Sequence, residues 1–263
     1  MSSASIPSSV APHLGPKGYF LAIAGNIGVG KTELTDRLSR DLGWYAYYEP
    51  VIQNPYLDAF YADMRRWAFH LQIYFLSERF KAQVTIGESV GAFIQDRTIY
   101  EDREIFARTL HEQGDMTRVD FENYTALFDC MVGFLRRPDL ILYLKASPET
   151  LMERIARRGR ESEKSITLEY LSRLGRAYDE WMERAADLYE IKVLDTDAIP
   201  LQGATPAFQH LVEDLKRRYP PQIALPLTGQ GPAGAVAPPA PGAPPAPPGS
   251  TSEPESEPSA PRR

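Results

Sequence analysis

Gly25-Asn26-Ile27-Gly28-Val29-Gly30-Lys31-Thr32 is the stretch that decides the fold. Glycine, four residues, then Gly-Lys-Thr is the pattern of a phosphate-binding loop. Backbone N–H groups of such a loop cradle phosphate oxygens, the lysine reaches the β- and γ-phosphates, and the hydroxyl binds Mg2+. An ordinary glycine-rich turn could carry the same letters, so the flanks matter. Tyr19-Phe-Leu-Ala-Ile-Ala24 is an apolar run of the kind a buried parallel strand requires. Thr32 to Leu42 places leucines at helical spacing, and Gly43 follows as a stop. Strand, glycine loop, helix is the order that phosphate binding needs.

The same alternation continues outward. Trp44 to Tyr48 reads as a short strand ending at Glu49-Pro50. Asn54-Pro55 opens a long helix, with asparagine as N-cap and proline in the first turn. Val90 to Gln95 is a strand ending at Asp96-Arg97, and helices are expected over about 100–113 and 118–137. Asp139 to Leu144 is an apolar strand, and Ser147-Pro148-Glu149 starts a helix that stops at Gly159. Thr167 starts another helix, Ile191 to Leu194 is a strand, and Phe208 to Arg217 a last helix. This predicts an α/β fold with a parallel sheet of about five strands and helices on both faces. Ligands of such sheets bind beyond the carboxyl ends of the strands. The phosphate loop, Glu49 and Asp96 all stand at such ends.

Composition narrows the class. The chain has 263 residues, enough for one sizeable α/β domain, and a net charge of −6. That charge argues against a broad nucleic-acid-binding surface. A single cysteine, Cys130, excludes an intramolecular disulfide and reads as a small core residue in a reducing compartment. No apolar run approaches a membrane span. Residues 1–17 lack the features of a signal or transit peptide and read as a flexible leader. Residues 221–263 are rich in Pro, Ala, Gly and Ser, and are expected to be a disordered tail, with a proline-rich docking peptide as the alternative. The folded unit is then 18–220, and the expected compartment is the cytoplasm.

Phosphoryl transfer needs charge neutralisation, alignment and activation of the acceptor. Lys31 and the loop amides supply the first, and Thr32 with Asp96 would hold Mg2+. Arg97 offers a planar fork to a phosphate oxygen, and Glu49 could take the proton of an attacking hydroxyl. A carboxylate aimed at the acceptor would repel one that is already a phosphate, which favours a nucleoside acceptor over a nucleotide. Arg154 and Arg158 lie one helical turn apart with Arg160 close by, reading as an arginine-rich lid over the transferring group.

Together these residues resemble the deoxyribonucleoside kinases of the P-loop superfamily, over about residues 19–200. The resemblance rests on the phosphate loop, Glu49-Pro-Val51, Phe69-His-Leu-Gln72, Asp96-Arg-Thr98, Asp102-Arg-Glu-Ile-Phe106 and Arg154…Arg158-Gly-Arg160. Asn54-Pro-Tyr-Leu57 and the run from Asp96 to Asp102 look most like the bacterial purine members. The resemblance implies a three-layer P-loop kinase fold with a lid. The implied reaction converts ATP and a deoxyribonucleoside, with Mg2+, to ADP and the 5′-monophosphate. It implies that Glu49 is the base, and that Arg97 holds the reacting phosphate and that carboxylate. Gln72 would contact the nucleobase edge, Phe106 would stack on it, and Arg79 and Asp102 would meet its remaining polar edge. Tyr61 and Glu163 would hold the 3′-hydroxyl, and Arg154, Arg158 and Arg160 would be the lid cations. A homodimer through the 118–135 helix is implied, as is feedback by a deoxynucleoside triphosphate.

If Arg79 and Asp102 reach the base, an acceptor and a donor suit purines or cytosine better than thymine. Three positions depart from common family patterns: Asn54 where some members carry a bulky aromatic, Asp96 where many have Glu, and Thr98 where Ser is common. The rivals are a nucleoside monophosphate kinase such as a thymidylate kinase, and a non-catalytic nucleotide-binding subunit of the same fold. No Asn-Lys-x-Asp segment supports a GTPase.

Overall fold

The computed structural model describes residues 18–48, 54–199, 203 and 205–220. The expected leader, the expected tail and Glu49 therefore lie outside the described residues.

Five parallel strands form one sheet: β1 (Phe20–Gly25), β2 (Tyr45–Tyr47), β3 (Phe93–Asp96), β4 (Leu140–Lys145) and β5 (Ile191–Asp195), in the order β2-β3-β1-β4-β5. β1 is buried along its whole length between β3 and β4, as its apolar sequence requires. Its register sets Ile23 opposite Asp96 and Gly25 opposite Leu144. Tyr47 of β2 stands opposite Gln95 of β3. The strands thus reach their carboxyl ends together.

Helices form around this sheet as the local signals dictate. α1 (Lys31–Leu42) buries Leu34 and Leu38 and ends at Gly43, whose left-handed φ of 70° only glycine adopts without strain. α7 (Pro148–Arg158) starts at Ser147, whose side chain accepts from the N–H of Thr150, and stops at Gly159. α8 (Leu168–Ala185) is capped by Thr167 in the same way, and α9 (Pro206–Arg218) by Thr205. α9 packs on α1.

Five expectations need correction. The helix opened by Asn54 is two helices, α2 (Leu57–Ala62) and α3 (Met64–Glu88). Asp63 between them has φ −149° and ψ 84°, and its carboxylate accepts from the N–H of Arg66, so it caps α3 and breaks the run. Asn54 is not the cap residue; its side chain accepts from the N–H of Tyr56, which itself precedes α2. The 100–113 segment is not a uniform α-helix. A short α4 (Ile99–Glu101) passes into a π-helical stretch, Asp102–Ala107, and then α5 (Arg108–Glu112). π-helical insertions widen a helix locally and are frequent at functional sites. α6 (Arg118–Val132) ends five residues early, at a turn that precedes Pro138. Cys130 is exposed, not a core residue. α6 buries Tyr124 and Phe128, and a residue two past Phe128 faces away. α3, α6 and α8 pack around the π-helical stretch and fix its position beside the sheet.

Candidate active site

The phosphate loop leaves β1 under tight steric control. A Cβ at Gly25 would stand 2.7 Å from the Leu144 carbonyl oxygen, and one at Gly28 would stand 2.9 Å from Ile155 of α7. Both glycines have positive φ. Val29 is wholly buried, and the Asn26 amide donates to the Leu171 carbonyl on α8 at 2.8 Å. Lys31 is buried at the start of α1, and its ammonium donates to the carbonyls of Gly25 and Asn26, each at 2.9 Å. Loop amides, a helix N-terminus and a buried cation together suit a polyphosphate.

Beside the loop stands the end of β3. The Thr32 hydroxyl donates to Asp96 Oδ2 at 2.6 Å, so the two expected metal-side residues meet. Both offer oxygen, the donor type Mg2+ takes together with phosphate and water. Among the described residues no cluster of three or more His, Cys, Asp or Glu could hold a metal ion. A one-hydroxyl, one-carboxylate set fits a metal completed by substrate phosphates. Arg97 follows with φ 66°, the one positive φ at a non-glycine among the described residues. Such backbone strain persists where surrounding structure fixes it, typically at a working site. Its N–H donates to the Ile23 carbonyl at 3.0 Å, and its guanidinium carbon lies 4.3 Å from the centre of the Phe106 ring.

On the far side of Phe106, α3 faces the π-helical stretch. Gln72 and Arg79 are both buried on α3, as their spacing predicts. Arg79 donates to Asp102 at 2.6 Å and covers Phe75. Tyr124 of α6 is buried close by; burial pushes its phenol far above the ordinary range, and the Asp102 charge adds to that. Its hydroxyl and Gln72 Oε1 are buried without a hydrogen-bond partner among the described residues. Buried polar atoms are rarely left so. Tyr61 does not share a helix with Gln72, because Asp63 separates α2 from α3. It is half-buried, edge-on to Phe60 at 5.1 Å.

The arginine-rich segment divides in two. Arg154, inside α7, donates to the carbonyls of Val29 and Thr196 and to the Thr196 hydroxyl, so it braces the loop from outside. Arg158 closes the last turn of α7, and Arg160 follows just past Gly159. Arg158 grips the buried Glu163 carboxylate through Nε at 3.1 Å and a terminal nitrogen at 2.7 Å, and Arg160 reaches it at 3.4 Å. Glu163 ends a 3-10 turn, Glu161–Glu163, that packs against α2, the helix carrying Tyr61.

With this geometry in view, the family model described as deoxynucleoside kinase matches residues 21–218. The chain belongs to the deoxynucleoside kinase family. Its similarity to the deoxyadenosine/deoxycytidine kinase of Bacillus subtilis is 43% identity over 188 residues, 70% of this chain and 87% of that one. It is 34% identical over 161 residues to the deoxyguanosine kinase of the same organism, covering 61% of this chain and 76% of that one. The deoxyadenosine kinase of M. mycoides, solved with bound dATP, superposes with a TM-score of 0.67 at 28% identity, covering 75% of this chain and 99% of that one.

Sequence reasoning missed Glu101, Tyr124, Tyr178 and Thr196, which join the site through contacts distant in the chain. One local signal was available: Thr98-x-x-Glu101 has capping-box spacing, and the structure forms that box. The buried Arg79–Asp102 pair yields the first prediction. Arg79→Ala strands a buried carboxylate and should cost about 3 kcal/mol in urea unfolding. Adding Asp102→Ala should recover part of that loss, and a double variant no more stable than the single would contradict the pairing.

Proposed function

We infer that the chain is an ATP-dependent kinase that phosphorylates the 5′-hydroxyl of a deoxyribonucleoside. The observation that carries this is the Thr32–Asp96 hydrogen bond at 2.6 Å, which joins the phosphate loop to the strand end bearing Arg97. Donor machinery and acceptor wall then share one edge, in a chain of the deoxynucleoside kinase family.

In this reading the loop amides and Lys31 bind the ATP phosphates. Thr32 and Asp96 would hold Mg2+, which would supply charge neutralisation at the phosphates when bound. Glu49 accepts the proton from the 5′-hydroxyl as it attacks, and Arg97 steadies both that carboxylate and the phosphoryl oxygens. Arg158 and Arg160 approach the phosphates from the lid side. Gln72, Phe106 and the Arg79–Asp102 pair read the base, while Tyr61 and Glu163 hold the 3′-hydroxyl. The role of Glu163 requires it to share its carboxylate between the sugar and the lid arginines, which would couple nucleoside binding to the lid.

The lean is toward deoxyadenosine or deoxyguanosine. The Arg79–Asp102 edge disfavours thymine, and relatives named for deoxyadenosine and deoxyguanosine support the purine lean, while one of them is named for deoxycytidine as well. A monophosphate acceptor is disfavoured by Glu49 on charge. A non-catalytic subunit would have no need of Lys31 and a strained Arg97. Feedback by a deoxynucleoside triphosphate is part of the proposal, since a relative has been solved with bound dATP. So is a homodimer through α6, which exposes Val119 and Leu127. A cytoplasmic location is compatible with the described residues, none of whose helices is long and apolar enough to cross a membrane.

The test is ADP release from ATP and Mg2+ with each of the four deoxynucleosides and their monophosphates. Turnover on deoxyadenosine or deoxyguanosine, with none on monophosphates, is expected. Turnover only on a monophosphate would replace this reading with a monophosphate kinase. Glu49→Gln should lower kcat by roughly a hundredfold or more while leaving deoxynucleoside binding nearly unchanged. Equal losses in both would remove its role as base.

A further inference from the structure

Glu101 is the one wholly buried carboxylate among the described residues for which the functional reading has no use. It lies at the end of α4, between the phosphate loop, Arg97 and α8. Its Oε2 accepts from the Thr98 N–H at 2.8 Å and meets the Thr98 hydroxyl at 3.5 Å. Its Oε1 accepts from the Tyr178 hydroxyl on α8 at 2.8 Å and from the Gly25 N–H at 3.4 Å, and stands 4.0 Å from Arg97 Nε. Every group it meets is a donor or a cation.

A capping box explains only half of this. The box needs one acceptor at the third helical position, and Glu or Gln serves equally. Oε2 fills that role with Thr98. Oε1 points the other way, to the first glycine of the loop and to the reacting-phosphate arginine. Placing a carboxylate with no solvent access is costly unless it is fully hydrogen-bonded. Burial pushes its pKa up, opposed by Arg97, the Thr98 N–H, Lys31 and Tyr178. α8 also meets the loop directly through the Asn26–Leu171 hydrogen bond, so it reaches Asn26 itself and Gly25 by way of Glu101.

We propose that Glu101 is a positioning residue for phosphoryl transfer: held by Tyr178, it fixes the Gly25 N–H and the Arg97 guanidinium in one frame. It touches neither ATP nor nucleoside and acts through Gly25 and Arg97. The assignment rests on the kinase reading above.

Glu101→Gln separates this role from capping. The amide oxygen can still accept from Thr98, but an NH2 group then confronts the Gly25 N–H and Arg97, donor against donor. Tyr178→Phe removes one hydroxyl and keeps the ring. Wild type and both variants are assayed with ATP, Mg2+ and each deoxynucleoside, alongside thermal unfolding. For Glu101→Gln the expectation is a kcat loss of roughly tenfold to a hundredfold, as misplaced groups produce, with KM for both substrates close to wild type. Tyr178→Phe should lower kcat in the same direction by less, and it decides the matter if Glu101→Gln fails to fold. Wild-type kcat in a folded Glu101→Gln, or in Tyr178→Phe should Glu101→Gln not fold, would overturn the assignment and leave Glu101 a capping residue. So would a rise in KM for ATP with kcat unchanged. A wild-type chain silent on all deoxynucleosides would overturn it together with the kinase reading, and that arm distinguishes the two failures.

Discussion

The parallel pairing of β1 with β3 is the constraint on which the site depends. Ile23 opposite Asp96 ends β3 two residues short of the end of β1, so the Asp96-Arg97-Thr98 turn lies beside the strand end that enters the phosphate loop. The Arg97 N–H still extends the ladder, to the Ile23 carbonyl. There the backbone leaves the extended form, with a positive φ at Arg97, and the side chain covers Phe106 beside Glu101. A slip of one residue would send Asp96 to the other face and break its bond to Thr32. Burial of β1 on both flanks makes such a slip expensive, because every apolar side chain on it would be misplaced with it.

Around that edge the molecule keeps charge in places where water is absent. Arg79 with Asp102, and Glu101 with its donors, are buried almost completely. Apolar residues of similar volume would often be as stable or more so. Keeping charges here makes sense where the groups must point at something. The Arg79–Asp102 pair lies near the Tyr124 hydroxyl, which, like the Gln72 oxygen, is buried with no hydrogen-bond partner among the described residues. Glu101 faces the loop and the strained arginine. The arginine-rich segment after α7 shows the complementary arrangement, with Arg158 and Arg160 converging on Glu163, half in reach of solvent.

Much of this was legible in the sequence because it obeys local rules. The apolar runs of β1 and β4, the glycine stops at Gly43 and Gly159, and the Ser147 cap all depend on residues within a few positions. The phosphate-loop pattern and the Asp96-Arg97 strand end were legible for the same reason. What escaped was the product of competing or distant effects. Asp63 interrupts a continuous helical pattern because its carboxylate offers a better partner to the next turn. The π-helical stretch at Asp102–Ala107 follows from packing among α3, α6 and α8, which periodicity cannot see. Tyr178 meets Glu101 across 77 residues, and Arg154 turns from the lid to Thr196 because β5 ends beside the loop. The apolar neighbours of Cys130 suggest burial, but α6 buries Tyr124 and Phe128 and leaves Cys130 exposed.

If β1 and β3 align donor and acceptor on one edge, the phosphoryl group passes directly from ATP to the 5′-hydroxyl. The stereochemical course of transfer tests this most directly. ATP made chiral at the γ-phosphorus with oxygen isotopes and sulfur would be turned over with the preferred deoxynucleoside, and the configuration of the 5′-thiophosphate product determined. A single in-line displacement predicts inversion. Retention would require two displacements through a phosphorylated enzyme group, and would contradict the account.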